Sequence, residues 1–321
     1  MCSSDLTNPL CSVGVCLDPR IYPKSTQLPD EEFKQLISKY PSVNWQFQDS
    51  KAIRPWVSTN RIQYNSKTAI GDRFVLLPHA YGFIDPLFSS GLSLSGWAIN
   101  VLGHRIIKAI KTKDYSKNQF EYYNQKLKEN FNYYDNLVSR AFKSFDSFDL
   151  WNAWYRFWAL GNFLGVGSLV TPLGEFRKQK KPEIFEQYPY QTLQGSSFEE
   201  NKKLFESACE VMDQYVDDSS SKEKTILGLF DLLKEVDFKP KTWHLDNPNQ
   251  HCPSTFTLWP TLKLLIWGRT CNSVPIKKFY VTRFSLLFNF VLSELFQLVK
   301  KGFRSHVKLY MRMLKESLVR S

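Results

Sequence analysis

Pro78-His79-Ala80-Tyr81-Gly82-Phe83-Ile84-Asp85-Pro86-Leu87-Phe88-Ser89-Ser90-Gly91 is the stretch from which the rest of the chain is read. Before it, Arg73-Phe74-Val75-Leu76-Leu77 is a short β-branched and aromatic run after the polar Gly71-Asp72 pair, which predicts a buried strand. After it, Leu92, Leu94, Trp97, Ala98, Val101, Leu102, Ile106 and Ile110 recur at helical spacing. The stretch therefore joins a strand to the amino end of a helix. The first N–H groups of a helix have no intrahelical partner and the dipole there is positive, so Ser89, Ser90 and Gly91 are placed to hold an anion or an electron-rich carbonyl. Gly91 lets a ligand approach the backbone. An ordinary strand-turn-helix corner punctuated by Gly and Pro is the plain alternative.

These residues resemble the flavin-binding segment of flavin-dependent halogenases and related FAD monooxygenases, whose usual form is a Gly-Asp-Ala-Ala-Gly-Phe-x-Asp-Pro run ending in a small-residue-Gly helix start. Ala80, Gly82-Phe83, Asp85-Pro86 and Ser90-Gly91 match that form, whereas Pro78-His79 and Tyr81 depart from it. Pro78-His79 stands where the family has the Gly-Asp pair that holds the ribityl and pyrophosphate region, so no carboxylate role is carried over. Phe88 stands where tryptophan halogenases have a catalytic Glu, and in this the chain is similar to halogenases of phenols and pyrroles. The resemblance implies FAD contacts at His79, Gly82, Asp85, Pro86, Ser89, Ser90 and Gly91, a halide at Ser90 and Gly91, and Phe88 in a substrate pocket.

A chain of 321 residues can bury one large core or two. Aromatics make up 15% of it, with nine Trp, which suits a cavity for a flat organic substrate as well as an ordinary core. The net charge of +11 favours acidic partners or anionic surfaces. No nucleic-acid signature accompanies it, since aromatics do not alternate with basic residues as in a stacking platform. Six Cys, at positions 2, 11, 16, 209, 252 and 271, form no CxxC pair and follow no signal peptide, so a reduced, cytoplasmic chain is expected. His244, His251 and Cys252 lie close together without a second ligand pair at metal spacing, and no metal site is expected. No run reads as long and charge-free enough to span a bilayer.

Residues 1–7 read as a non-native scar: Cys2-Ser3-Ser4-Asp5-Leu6 matches what a common sequencing adapter gives when translated in one frame, with a frayed natural terminus as the alternative. From Asn8 the text reads like the interior of a domain. Leu10 to Leu17, Val43 to Phe47 and Arg61 to Tyr64 predict strands, with a short helix capped by Asp30 and carrying Phe33, Leu36, Ile37 and Tyr40 between the first two. By resemblance, residues 8–70 form the antiparallel substrate-side sheet of a flavin monooxygenase. No GxGxxG follows a strand, and the family's Trp-x-Trp-x-Ile-Pro motif and nearby catalytic Lys have no counterpart, so the resemblance is to the carboxyl-terminal part of a halogenase.

Beyond residue 110 the pattern is helical. Phe120, Tyr123, Leu127, Phe131, Tyr134, Leu137 and Val138 define one amphipathic face. Asp149 to Asn162 is apolar nearly all round and resembles a Trp- and Arg-containing helix of non-tryptophan halogenases. Trp151, Trp154 and Trp158 recur there as core or as ligand-facing rings, with Trp154 and Trp158 assigned to the substrate pocket, and Arg156 needs a partner. Arg177 to Lys181 reads as a basic loop, 198–216 and 222–236 as surface helices, 240–260 as a polar connection, and 260–267 as a return to the core. From Tyr280 onward terminal helices are expected, with a basic stripe at Arg304, Lys308, Arg312 and Lys315 facing an acidic carrier protein or an anionic membrane surface.

The fold class is α+β: residues 8–110 as part of an FAD-binding monooxygenase-type domain, then an all-helical domain over 111–321. The implied activity is halogenation of an electron-rich aromatic, a phenol or pyrrole, by reduced FAD from a flavin reductase, oxygen and halide. Alternatives are a monooxygenase or reductase without a halide step and a non-catalytic helical adaptor with a vestigial flavin turn.

Overall fold

In the computed structural model the described residues are 11–19, 21–181, 183–184, 192–251, 263–264, 266–268, 270–273 and 276, with single positions 292, 296 and 299. The scar-like start and the basic stripe at 304–315 lie outside them. The chain divides into two compact units, Met1–Lys143 and Ser144–Ser321.

In the first unit, α1 (Pro29–Ser38) begins with Leu28 as its cap and Pro29 at the first helical position, where a missing N–H costs nothing. Asp30, expected as the cap, instead lies in the first turn and pairs with Lys34 at 3.4 Å. A second helix, α2 (Pro41–Phe47), replaces the strand expected at Val43–Phe47. The alternation of 43, 45 and 47 also contains the i, i+4 pair of a helix face, and Pro41 supplies the helical φ. Phe47 accordingly packs edge-on to Phe33 at 5.7 Å, leaving Trp45 exposed.

Strand pairing is slight. β1 (Tyr64–Asn65) pairs antiparallel with β4 (Gly82–Phe83), and β2 (Ile70–Gly71) with β3 (Phe74–Val75). Among the described residues these ladders are the whole of the strand structure, which corrects the antiparallel sheet expected over 8–70. Residues 11–17 run unpaired and mostly exposed where a strand was expected. The run at 73–77 contributes only β3, because Arg73 turns the chain at φ 68° and leaves Phe74 and Leu77 facing solvent. This hairpin is latched: Lys117 N donates to Asp72 Oδ1 at 3.1 Å, Arg73 N donates to the Tyr115 carbonyl at 2.9 Å, and the Arg73 guanidinium lies 5.2 Å over the Tyr115 ring.

After a single helical turn, α3 (Pro78–Tyr81), the chain runs through β4 into the long helix α4 (Ser90–Thr112). Leu94, Trp97, Ala98, Val101, Leu102, Arg105 and Ala109 form its buried face, whereas Leu92, Ile106 and Ile110, expected inward, are exposed. Helix α5 (Glu121–Ser144) supplies the facing surface, with Trp97 stacked on Tyr123 at 5.5 Å and all seven residues expected from Phe120 to Val138 buried.

The second unit is built on α6 (Phe148–Gln179), whose cap Ser147 accepts the Leu150 N–H at 3.2 Å. Helix α7 (Glu199–Val216) sets Phe205 against Trp154 at 5.8 Å, and α8 (Lys222–Lys234) packs on both. Residues 177–179, expected in a loop, are the last turn of α6, which ends at Lys180 in the left-handed region. By length and composition α6 is long and apolar enough to cross a membrane, where no such run was expected; 65% of its most apolar window is buried inside the protein, as in a core helix.

Candidate functional site

Residues 78–91 fold into a compact corner. Pro78 starts α3, and the Ala80 and Tyr81 N–H groups both donate to the Leu77 carbonyl at 2.9 Å. Tyr81 is buried against Phe131, edge to face at 4.9 Å, and burial pushes its hydroxyl pKa up. Gly82 is extended at φ −173°, a backbone any residue adopts; its requirement is space, because a Cβ there would lie 2.8 Å from the Phe131 ring and 3.0 Å from the Tyr64 carbonyl. Gly82 is thus committed to packing.

Asp85 is buried, and its Oδ1 accepts the Leu87 N–H at 2.8 Å. Burial pushes its carboxyl above the usual range, and the Leu87 hydrogen bond opposes that shift. Pro86 receives the Ser89 N–H on its carbonyl at 2.9 Å, and Ser89 takes a left-handed conformation at φ 50°. Phe88, half-buried, lies in this turn.

Ser89 is the residue before α4, yet its side chain makes no capping hydrogen bond. The Gly91 N–H is therefore not taken by that side chain, and it stands in the first turn beside the Ser90 N–H and hydroxyl, where a helix has no intrahelical partner for its donors. His79 completes the corner. A Cβ at Gly91 would lie 2.8 Å from His79 Nε2 and 3.2 Å from its Cε1, so the imidazole occupies the space that the glycine leaves. This changes the expected role of Gly91: the room it makes is taken by a polar ring. The His79 carbonyl accepts the Tyr64 hydroxyl, its Nδ1 lies 3.4 Å from Ser95 Oγ, and its ring sits 6.5 Å from that of Phe83. Tyr64 and Ser95 were not foreseen, because neither belongs to the motif and only the β1–β4 register brings Tyr64 to His79.

An imidazole nitrogen, a hydroxyl and uncapped backbone N–H groups make a set that fits the electron-rich carbonyl edge of a flavin ring or a monovalent anion.

In the second unit Trp154 is fully enclosed, with Phe157 and Phe205 rings each at 5.8 Å. Its ring is spent on the core rather than presented to a pocket. Trp158 is half-buried and forms a line with Tyr155 at 5.1 Å, which in turn lies 5.8 Å from Trp151. Arg156, only 1% exposed, finds its partners in two backbone carbonyls and one side-chain amide: it donates to His244 O at 2.9 Å, to Gln250 O, and to Asn152 Oδ1 at 3.1 Å, with its guanidinium 5.0 Å over Phe230. Asn152 adds a donation to the Pro248 carbonyl at 3.2 Å, so together they clamp residues 244–250.

No protein-family model matches the chain. The chain is 32% identical over 307 residues, 92% of its length, to the monodechloroaminopyrrolnitrin halogenase PrnC of Pseudomonas fluorescens, of which it covers 54%. It is 32% identical over 249 residues, 76% of its length, to the tetracycline 7-halogenase of Kitasatospora aureofaciens, of which it covers 45%. Its backbone matches the crystal structure of halogenase PltM in complex with phloroglucinol and FAD with a TM-score of 0.66 and 29% identity, over 73% of this chain and 48% of that one. The chain spans about half the length of the relatives it matches.

Proposed function

The chain belongs to the flavin-dependent halogenases, and on that premise we propose that it forms the flavin-ring and halide edge of an enzyme that halogenates an electron-rich aromatic, a phenol or a pyrrole. The fold proposal that accompanies this reading is a partial FAD-binding monooxygenase-type domain in the first unit. When bound, reduced FAD with oxygen supplies the oxidising equivalents that make the halide electrophilic. The protein's own part is positioning. Ser90 and Gly91 direct N–H groups at the halide or at the ring carbonyls, and the Ser90 hydroxyl adds a donor. His79, held through Tyr64 and Ser95, brings a ring nitrogen to the same place. Phe88 offers an apolar wall with no carboxylate, so activation of the ring is left to the substrate's own electrons.

The observation that carries this reading is the start of α4: an uncapped first turn with an imidazole filling the space over Gly91. PltM, the similar structure solved with phloroglucinol and FAD, supports the substrate class, and the similarity over 118 residues to the 1H-pyrrole-2-carbonyl-[peptidyl-carrier protein] chlorinase of Pseudomonas fluorescens supports a carrier-tethered substrate as the variant reading. The test is a full-length protein supplied with a flavin reductase, FAD, oxygen and bromide, with products read by mass. Brominated phenol in excess over brominated free tryptophan is the expected result. Hydroxylated phenol without any bromination would replace the reading by a monooxygenase with no halide step.

A further inference from the structure

The second unit holds a cavity of about 560 Å³ between residues 236–246 and 267–272, a volume within the range of small-molecule sites. Its buried lining is apolar, made by Val236, Pro240, Trp267 and Cys271. Hydrogen bonds hold both walls. The Lys239 ammonium, 13% exposed, donates to the Lys234 carbonyl at 2.9 Å and the Val236 carbonyl at 3.0 Å and pairs with Asp246 Oδ2 at 3.2 Å, so its donors are used within one wall. The Arg156 and Asn152 clamp holds the backbone of that wall at 244–250. Across the cavity, the Cys271 thiol donates to the Asp237 carbonyl at 3.6 Å and the Cys271 N–H to the Trp267 carbonyl at 2.7 Å. A cavity with walls fixed in this way costs a ligand little reorganisation.

The exposed edge carries unused charges of both signs. Lys241, His244 and Asp237 have no side-chain partner among the described residues, and Asp246 keeps one carboxylate oxygen beyond its bond to Lys239. The lining holds two ammonium groups and two carboxylates, a local balance in a chain of net charge +11. Such an edge gives no net attraction to a simple anion or cation, and a ligand with one charge would leave the opposite group unmatched. A ligand with both charges and an apolar body meets the whole lining. We propose that this cavity binds a free α-amino acid with an aromatic side chain. Its ring is received by Val236, Pro240 and Trp267, its carboxylate by Lys241 and His244, and its ammonium by Asp237 and Asp246. The assignment rests on the second unit alone and is independent of flavin and halide binding.

The probe is L-phenylalanine, compared with 3-phenylpropionate and phenethylamine, which each lack one of its two charged groups. Calorimetric titration is expected to give a Kd below about 1 mM for L-phenylalanine and binding about tenfold or more weaker for either comparator. Lys241→Gln, at an exposed position, should weaken L-phenylalanine about fivefold and leave phenethylamine unchanged. Asp237→Asn, also exposed, should weaken L-phenylalanine and leave 3-phenylpropionate unchanged. Location is read at Cys271: bound L-phenylalanine should slow its alkylation by iodoacetamide, followed by peptide mass against Cys209, which lies outside the cavity. Equal affinity for the three compounds, tighter binding of either comparator, or binding that leaves Cys271 alkylation unchanged would overturn the proposal. So would the absence of binding at about 10 mM L-phenylalanine.

Discussion

The Nε2 of His79 lies 2.8 Å from the point where a Cβ at Gly91 would stand, so the two positions are coupled through one small volume. His79 is exposed and its ring can swing outward, and alanine is the better helix former by about 1 kcal/mol. Gly91→Ala is therefore expected to change stability by less than about 1 kcal/mol while displacing the imidazole from Ser95. The check is the His79 ring resonance by NMR, assigned by its loss in His79→Gln. An unmoved resonance would refute the coupling.

The same pair predicts non-additive effects on halide use. On the proposed reading, Gly91→Ala and His79→Ala in the full-length protein each alter the bromide concentration needed for half-maximal halogenation, and the double variant falls short of the sum because both changes take the imidazole away from one place. Additive effects would mean that the ring and the helix start act independently.

Arg156 carries a structural prediction. Arg156→Met fills the volume but orphans the His244 and Gln250 carbonyls and Asn152 Oδ1, at a cost of about 1–3 kcal/mol for each one left dry. Arg156→Lys keeps the charge but lacks the fork of donors and should recover only part of that loss. Urea unfolding followed by tryptophan fluorescence measures both, and a Met variant within 1 kcal/mol of the parent, about the error of such comparisons, would contradict the clamp.

Asp85 gives a pH signature. Its carboxyl is raised above the ordinary 3.8 by burial, so the folded chain holds a proton that the unfolded chain releases. The associated stability is fully present below 3.8 and is lost as the pH rises through the folded value. Asp85→Asn keeps an oxygen for the Leu87 N–H and should flatten this part of the pH profile. Asp146 acts in the opposite sense: the Tyr215 hydroxyl, itself pushed up to about 12 by its hydrogen bond to Asp146, and the Lys222 ammonium hold the Asp146 carboxyl below its usual range. Its contribution is present above that range and lost as the pH falls, so Tyr215→Phe should raise the Asp146 titration seen by NMR.

Legibility in the sequence followed the number of faces a segment buries. The α5 residues Tyr123, Leu127, Phe131 and Tyr134 repeat on one side only, and periodicity placed them correctly. Helix α4 is apolar on two sides, and periodicity alone could not tell that Leu94 and Trp97 face the core while Leu92 and Ile99 do not. Val43 to Phe47 failed for a different reason, since five residues fit both periods and Pro41 decided between them. In the site, the motif located the helix start at Ser90, whereas Pro78-His79 departs from it and the closeness of His79 to Gly91 came only from the fold. The partners of Arg156 were unreadable because backbone carbonyls carry no residue identity, and they lie 88 and 94 positions away.

Helix α4 is held at both ends: at its start by the corner built on His79 and Ser95, and just past its last turn by the latch of Asp72 on Lys117 and Arg73 on Tyr115. With the buried Leu94–Ala109 face packed between these anchors, rotation of the helix about its own axis is opposed, so Leu92, Ile99, Ile106 and Ile110 stay turned outward. Binding at the amino end of the helix then orders little of the backbone, and the entropy cost falls on the ligand and on the exposed His79 ring.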